Sequence, residues 1–228
     1  MFTFPLLLTI YAGFTHAFEA DHLLAVSNIV SKRNNIRLSL KDGIYWGLGH
    51  ASTIFIIGIV MIIFKAGISP NYFQYFEAIV GAMLITLGMY RLVKFFGTKK
   101  IVIHTHDHQH NGEEHKHLHV HLNKEEKHQH PHSHSLAYGV GLVHGLAGSG
   151  ALIVIVMSQM KGPVDGLIYL IIFGAGCIIG MMLAAGFFSI PFSKKMMEAK
   201  ALQSFLIVSS SLLCLLYGSK VIYENLLA

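Results

Sequence analysis

Charge is what this chain has least of. Asp, Glu, Lys and Arg make up 13% of its 228 residues, against about 25% in a soluble domain. Hydrophobic residues make up 53% and the mean hydropathy is +0.54, so an ordinary soluble enzyme or binding domain is excluded. Cysteine is almost missing too. Cys177 and Cys214 stand alone with no C-x-x-C, which excludes a disulfide framework and a thiol relay. No G-x-x-x-x-G-K-[ST] occurs, so any energy source must be a gradient or a separate subunit. The first apolar run lacks a positively charged leader, and reads as a retained membrane segment rather than a cleaved signal peptide.

What is present in quantity is long apolar runs. Windows of about 20 residues, the length that crosses a bilayer core, select six segments near 3–30, 43–64, 72–96, 136–160, 164–190 and 201–223. The expected fold class is therefore all-α integral membrane. Of the 17 lysines and arginines, all but Lys65, Lys161 and Lys220 fall in the loops after the first, third and fifth segments. The positive-inside rule puts those loops in the cytoplasm and both termini outside, at a cell (inner) membrane. The basic pI of 9.1 is accounted for by these loops and calls for no nucleic acid.

The chain also resembles itself. Residues 13–26 (GFTHAFEADHLLAV) can be laid over 141–154 (GLVHGLAGSGALIV), which places His16 on His144. The following segments open with DGIYWGLGH from Asp42 and DGLIYLIIF from Asp165, and the third pair ends in GMYR (88–91) and YGSK (217–220). Three segments per half means that the halves insert upside down relative to each other, a pattern of secondary transporters. The expected organisation is six transmembrane helices as two inverted three-helix repeats, 1–96 and 136–228, joined by a His-rich cytoplasmic loop, 97–135.

Histidine is the one polar residue in excess. Twelve of the 16 lie between His104 and His134, in a polar, low-complexity stretch that cannot build a core of its own. Its alternating H-x-H suits nickel, cobalt, copper and zinc. The other four, His16, His22, His50 and His144, fall within membrane segments. There an ionisable group costs several kcal/mol and by default marks a functional path.

The stretch His16-Ala-Phe-Glu-Ala-Asp-His22 is the densest of these places. On a straight helix at about 100° per residue, Glu19 and His22 fall within roughly 120° of His16 and Asp21 is turned away by about 140°. For His16, Asp21 and His22 to hold one ion, the helix must break around Ala17–Ala20. Alternatively Asp21 orients an imidazole from outside the ion's own ligands. Imidazoles with a carboxylate suit nickel and cobalt, and the absence of thiolate pairs argues against copper(I). Zinc and copper(II) accept the same ligand types.

These motifs resemble a known family. HAFEADH (16–22) is similar to the H-x-x-x-x-D-H signature of nickel/cobalt permeases, and GLGHASTIF (47–55) resembles the Gly-His-Ser/Thr motif one segment later. The resemblance implies that His16, Asp21, His22 and His50 form the metal path, with Ser52 and Thr53 in support. GLVHGLAGSGAL (141–152) looks more like the compact relatives linked to urease maturation, and the His-rich loop resembles that of nickel/cobalt efflux proteins. The permeases usually have eight segments, where this chain has six.

Two other functional classes fit part of the pattern. An intramembrane zinc hydrolase would use a metal with an open position, but H-E-x-x-H is absent and Ala147 breaks a G-x-S-G. A membrane-anchored metal sensor would need the loop but not the membrane histidines. The expectation is thus a transporter, not an enzyme, with Ni2+ or Co2+ as substrate and no organic cofactor. Its expected metal residues are His16, Glu19, Asp21, His22, His50 and His144, with uptake slightly ahead of efflux. The expected partners are the ion, the lipid bilayer and a cytoplasmic metallochaperone. Asp42, Glu77 and Asp165 read as boundary residues at segment ends.

Overall fold

The computed structural model describes residues 3–31, 33, 35–64, 70–97, 101–110, 113–122, 134–147, 162–192 and 200–228. Four helices are long and apolar enough to cross a membrane, over Ile36–Ile62, Tyr72–Gly97, Pro163–Phe192 and Ala201–Leu226. They belong to α3 (Ile36–Phe64), α4 (Pro70–Gly97), α6 (Pro163–Ser189, extended by a 3-10 turn over Ile190–Phe192) and α7 (Lys200–Leu226). These are the second, third, fifth and sixth expected segments.

The first expected segment is two helices. α1 (Thr3–His16) stops at the first histidine, and α2 (Ala20–Val30) starts after a short turn. The turn is closed by Phe18 N–H to Thr15 O at 2.9 Å and Glu19 N–H to His16 O at 3.1 Å. Glu19 is extended (φ −66°, ψ 156°), and its carbonyl accepts the first α2 bond from Leu23. Non-helical backbone at membrane depth persists only where protein or a polar cavity surrounds it, and here Ala17 and His16 are buried. Of the fourth expected segment, α5 (Ser135–His144) and the turn to Ala147 are seen, and 148–160 lie outside the described residues.

Among the described residues four helix pairs set the architecture, and glycines bring each of them together: α1 with α6, α3 with α5, α4 with α7, and α3 with α6, where Gly47 meets Ile178 and Gly174 meets Ala51. α1 meets α6 where a side chain at Gly13 would strike Phe173 O and Cys177 N, and one at Gly176 would strike Ile10 O and Phe14 N. α3 meets α5 where one at Gly141 would strike Trp46 O and His50 N, and one at Gly49 would strike Tyr138 O and Leu142 N. The two sets correspond residue for residue. Adding 128 to Ile10, Gly13 and Phe14 gives Tyr138, Gly141 and Leu142, and adding 127 to Trp46, Gly49 and His50 gives Phe173, Gly176 and Cys177. The third pair, α4 with α7, corresponds to itself. A Cβ at Gly81 would lie 2.8 Å from Gly218 O, and one at Gly218 would lie 2.5 Å from Gly81 O. Small residues at such crossings are the usual means of close packing in lipid, where no hydrophobic force separates helix from solvent.

This correspondence corrects the expected internal alignment in its second and third segments: GMYR (88–91) on YGSK (217–220) is a shift of 129, whereas Gly81 corresponds to Gly218 at a shift of 137. Asp42 was laid on Asp165, a shift of 123, whereas the packing contacts put α3 on α6 with a shift of 127. Asp165 lies in the first turn of α6 whereas Asp42 lies well inside α3, so the two Asp-Gly pairs do not occupy equivalent positions.

Side chains such as Leu7, Ile56, Val93, Ile171, Phe205 and Leu216 are more than half exposed on the outer faces. In water so much bare apolar surface would be a liability; toward lipid it is what a spanning helix presents. The chain is a multi-pass membrane protein.

The His-rich segment is not without structure, contrary to the expectation for a low-complexity loop. β1 (Ile101–His110) and β2 (Glu113–Leu122) form an antiparallel hairpin, with His104 opposite His119, His106 opposite His117 and His108 opposite His115. The period-2 alternation of histidine with Val, Thr and Leu on either side of Asn111-Gly112 is itself a hairpin pattern. The rest of the His-rich segment, 123–133, lies outside the described residues.

Candidate metal centre

The break between α1 and α2 assembles the site. It places His16 at the last position of α1 and His22 in the first turn of α2, with His50 mid-way along α3 and His144 at the end of α5. All four are buried, His50 and His144 completely. The ring centroids of His16 and His22 lie 4.6 Å apart, those of His16 and His50 5.2 Å, and those of His22 and His50 5.2 Å. His144 stacks on His22 at 4.1 Å with 24° between the planes. One ligand atom each from His16, His22 and His50 falls within a sphere of contact of 4.8 Å, and the same holds for Asp21, His22 and His144.

Two carboxylates fix the orientation of three imidazoles. Glu19 Oε1 lies 2.9 Å from His16 Nδ1. Asp21 Oδ1 lies 3.0 Å from His22 Nδ1 and also accepts the His22 backbone N–H at 2.9 Å. Asp21 Oδ2 lies 2.9 Å from His144 Nε2. An ionised carboxylate only accepts, so in the neutral rings the proton sits on Nδ1 of His16 and His22 and on Nε2 of His144. The lone pairs then sit on His16 Nε2, His22 Nε2 and His144 Nδ1. These three atoms and both nitrogens of His50 are buried with no hydrogen-bond partner among the described residues. Five orphaned imidazole nitrogens in one place are costly unless something binds them.

The expected residues thus come together, though in different roles. His16, His22 and His50 face one another. Asp21, which a straight helix would turn away, is brought back by the break and bridges two imidazoles with its two oxygens. Glu19 reaches only His16 and is more than half exposed. His144 completes the far side through Asp21 and His22. Thr53 Oγ1 donates to Leu142 O at 2.9 Å, tying α3 to α5 beside His144, whereas Ser52 donates to Leu48 O of its own helix at 2.7 Å.

Two residues of the site were not foreseen. Trp46, the chain's single tryptophan, is buried with its ring 5.6 Å from His22 and 5.8 Å from His144, and its Nε1 has no partner. Phe173 packs 5.8 Å from His16. Trp46 lies one turn before His50, a spacing that could have pointed to it; nothing local distinguishes Phe173 from its apolar neighbours.

The boundary reading of Asp42 is corrected. It is 2% exposed, and it accepts from Arg33 Nε at 2.6 Å, from Arg33 Nη2 at 3.0 Å and from His134 Nδ1 at 2.6 Å. A buried carboxylate needs such partners, one from just before α3 and the other 92 residues further along the chain.

Among known proteins, residues 12–218 match the family described as the cytochrome c biogenesis protein transmembrane region. A curated relative, the urease accessory protein UreH of Bacillus sp. (strain TB-90), is 30% identical over 186 residues, covering 79% of this chain and 74% of the relative. No solved structure matches the chain. The chain therefore belongs to the cytochrome c biogenesis transmembrane-region family and, within the urease-linked group that its second-half motif resembles, is a relative of UreH.

Proposed function

We propose that the chain carries a divalent transition metal ion, nickel or cobalt, across the membrane, in the uptake direction, through the buried histidine cluster. The observation that carries this reading is the set of orphaned nitrogens of His16, His22 and His50 within reach of one ion. Imidazole nitrogen suits both metals, and the likeness to a protein named as a urease accessory supports nickel handling.

The charge balance favours a divalent cargo. Asp21 and Glu19 supply two negative charges beside neutral imidazoles, so an ion of charge +2 makes the cluster neutral as a whole. In a low-dielectric interior a net charge costs several kcal/mol. The carboxylates stabilise the ion through the rings they orient, which raises ligand basicity.

Transport is proposed to proceed by exchange between two inverted repeats, 1–96 and 136–228, separated by the His-rich cytoplasmic segment 97–135, with both termini outside. The matched contacts of α1 with α6 and of α3 with α5 support that reading, because each half contributes the same two surfaces. A cytoplasmic metallochaperone is the proposed acceptor. A thiol-based function has less support: Cys177 and Cys214 are both buried and free, on different helices.

The test is flux of radiolabelled nickel and cobalt in proteoliposomes, with zinc as competitor. Wild-type flux lost in His22→Ala and reduced in Asp21→Asn is the expected result. Retention of flux in His22→Ala would remove the cluster from the path. Accumulation or depletion of metal in cells producing the protein decides between uptake and efflux.

A further inference from the structure

The His134–Asp42 contact repeats, at the edge of the protein, the arrangement found in its centre. Asp42 Oδ1 accepts a hydrogen bond from the His134 Nδ1–H at 2.6 Å, as Asp21 Oδ1 accepts one from His22. The His134 ring is held flat on Tyr45, with centroids 4.9 Å apart and 6° between the planes. Its lone pair therefore lies on Nε2, which makes no hydrogen bond among the described residues. A groove of ≈ 500 Å³ lined by Tyr45, Leu48, His134, Ser135 and Tyr138 opens beside it.

Local structure does not call for a histidine here. His134 precedes α5 as its cap but makes no side-chain capping bond, a job that Ser, Asp or Asn does better. Asp42 and Arg33 already satisfy each other through two bonds. His134 is also the last of the twelve clustered histidines, directly after His128, His130 and His132 at two-residue spacing. On α3, Asp42, Trp46 and His50 follow at four-residue steps, which puts them on one face with about 12 Å between the first and last. Trp46 lies between and packs on two imidazoles of the central cluster.

We propose that His134, oriented by Asp42, is a metal-transfer ligand: it passes a divalent transition metal ion between the His-rich segment and the buried cluster. This rests on the transport reading above. It makes the His-rich segment a delivery or receiving arm with a fixed end, rather than a free reservoir.

The experiment measures nickel flux in membrane vesicles of both orientations, for wild type, His134→Ala and His134→Gln. Glutamine can still donate an amide N–H to Asp42 but offers no imidazole. With metal on the face bearing the His-rich segment, both variants are expected to raise KM about tenfold, with maximal rate within about twofold of wild type. With metal on the other face, KM stays at the wild-type value. The proposal is overturned if KM is unchanged on both faces, if glutamine restores wild-type behaviour, or if both faces lose rate together as for a structural lesion. Wild type moving no nickel from either face would sink the transport reading itself, a result distinct from all of these.

Discussion

Asp21 Oδ2 lies 2.9 Å from His144 Nε2, a residue 123 positions further along the chain, while its other oxygen holds the adjacent His22. One carboxylate thus joins two segments far apart in the chain within the histidine cluster and sets the tautomer of a ring from each.

Asp21→Asn removes the charge and one acceptor from this bridge. An asparagine amide presents one oxygen where the carboxylate presents two, so one of the two imidazoles loses its orienting partner. Metal affinity is expected to fall about 10- to 100-fold, read by flux at limiting nickel. His144→Gln, which keeps an amide N–H to offer Asp21, should fall less than His144→Ala.

His50→Ala should abolish flux, because it removes one of the three imidazoles whose ligand atoms lie within reach of one ion. Glu19→Gln should be milder. Glu19 is half in solvent and touches His16 alone, and water can replace part of what it does. Parallel nickel titrations of the two variants by calorimetry check the order.

Flux should fall as the pH is lowered. Binding requires free lone pairs on His16 and His22, and a proton on either Nε2 occupies the same site as the ion. Protonation is therefore competitive with metal: higher nickel should restore the rate at acid pH, shown by KM rising while the maximal rate holds. A maximal rate that collapses with unchanged KM would show that the protons act elsewhere.

Gly141→Leu should destabilise the protein, since its first carbon would strike the backbone of Trp46 and His50, which cannot give way as a flexible side chain would. A cost of about 1–3 kcal/mol or more is expected, read as a lower melting temperature in detergent. Gly139→Leu, with nothing within 4 Å, is the matched control and should melt close to wild type.

Much of the helical frame is legible from hydropathy, because a spanning helix declares itself by length. α4, α6 and α7 end within three residues of the expected limits. α3 begins seven residues earlier than expected, at Ile36 rather than 43, because Arg37, Lys41 and Asp42 lower the hydropathy of its first turns. The same polar cluster hid the role of Asp42: its partner His134 is 92 residues away, and no local pattern reports such a distance. At the histidine cluster the residue types and their grouping were readable, together with the need for a break near Ala17–Ala20, but not which carboxylate oxygen holds which imidazole. Helical periodicity sent Asp21 to the far side of His16, and only the interruption at Ala17–Glu19 reverses that. The hairpin of the His-rich segment was readable in its alternation and its Asn-Gly, but composition outweighed pattern.

The contact between Gly81 and Gly218 has a mechanical meaning that its closeness alone does not convey. Exchanging the two halves turns the α1–α6 crossing into the α3–α5 crossing and the reverse, yet it returns this crossing to itself. Under the proposed exchange between the two repeats, the α1–α6 and α3–α5 crossings would trade places in opposite states. The α4–α7 crossing would keep its partners in both, as would the α3–α6 crossing, where Gly47 meets Ile178 and Gly174 meets Ala51, so these two together would form the fulcrum. A bulky residue there would burden both states alike, whereas one at Gly13 or Gly141 would tip the balance between them.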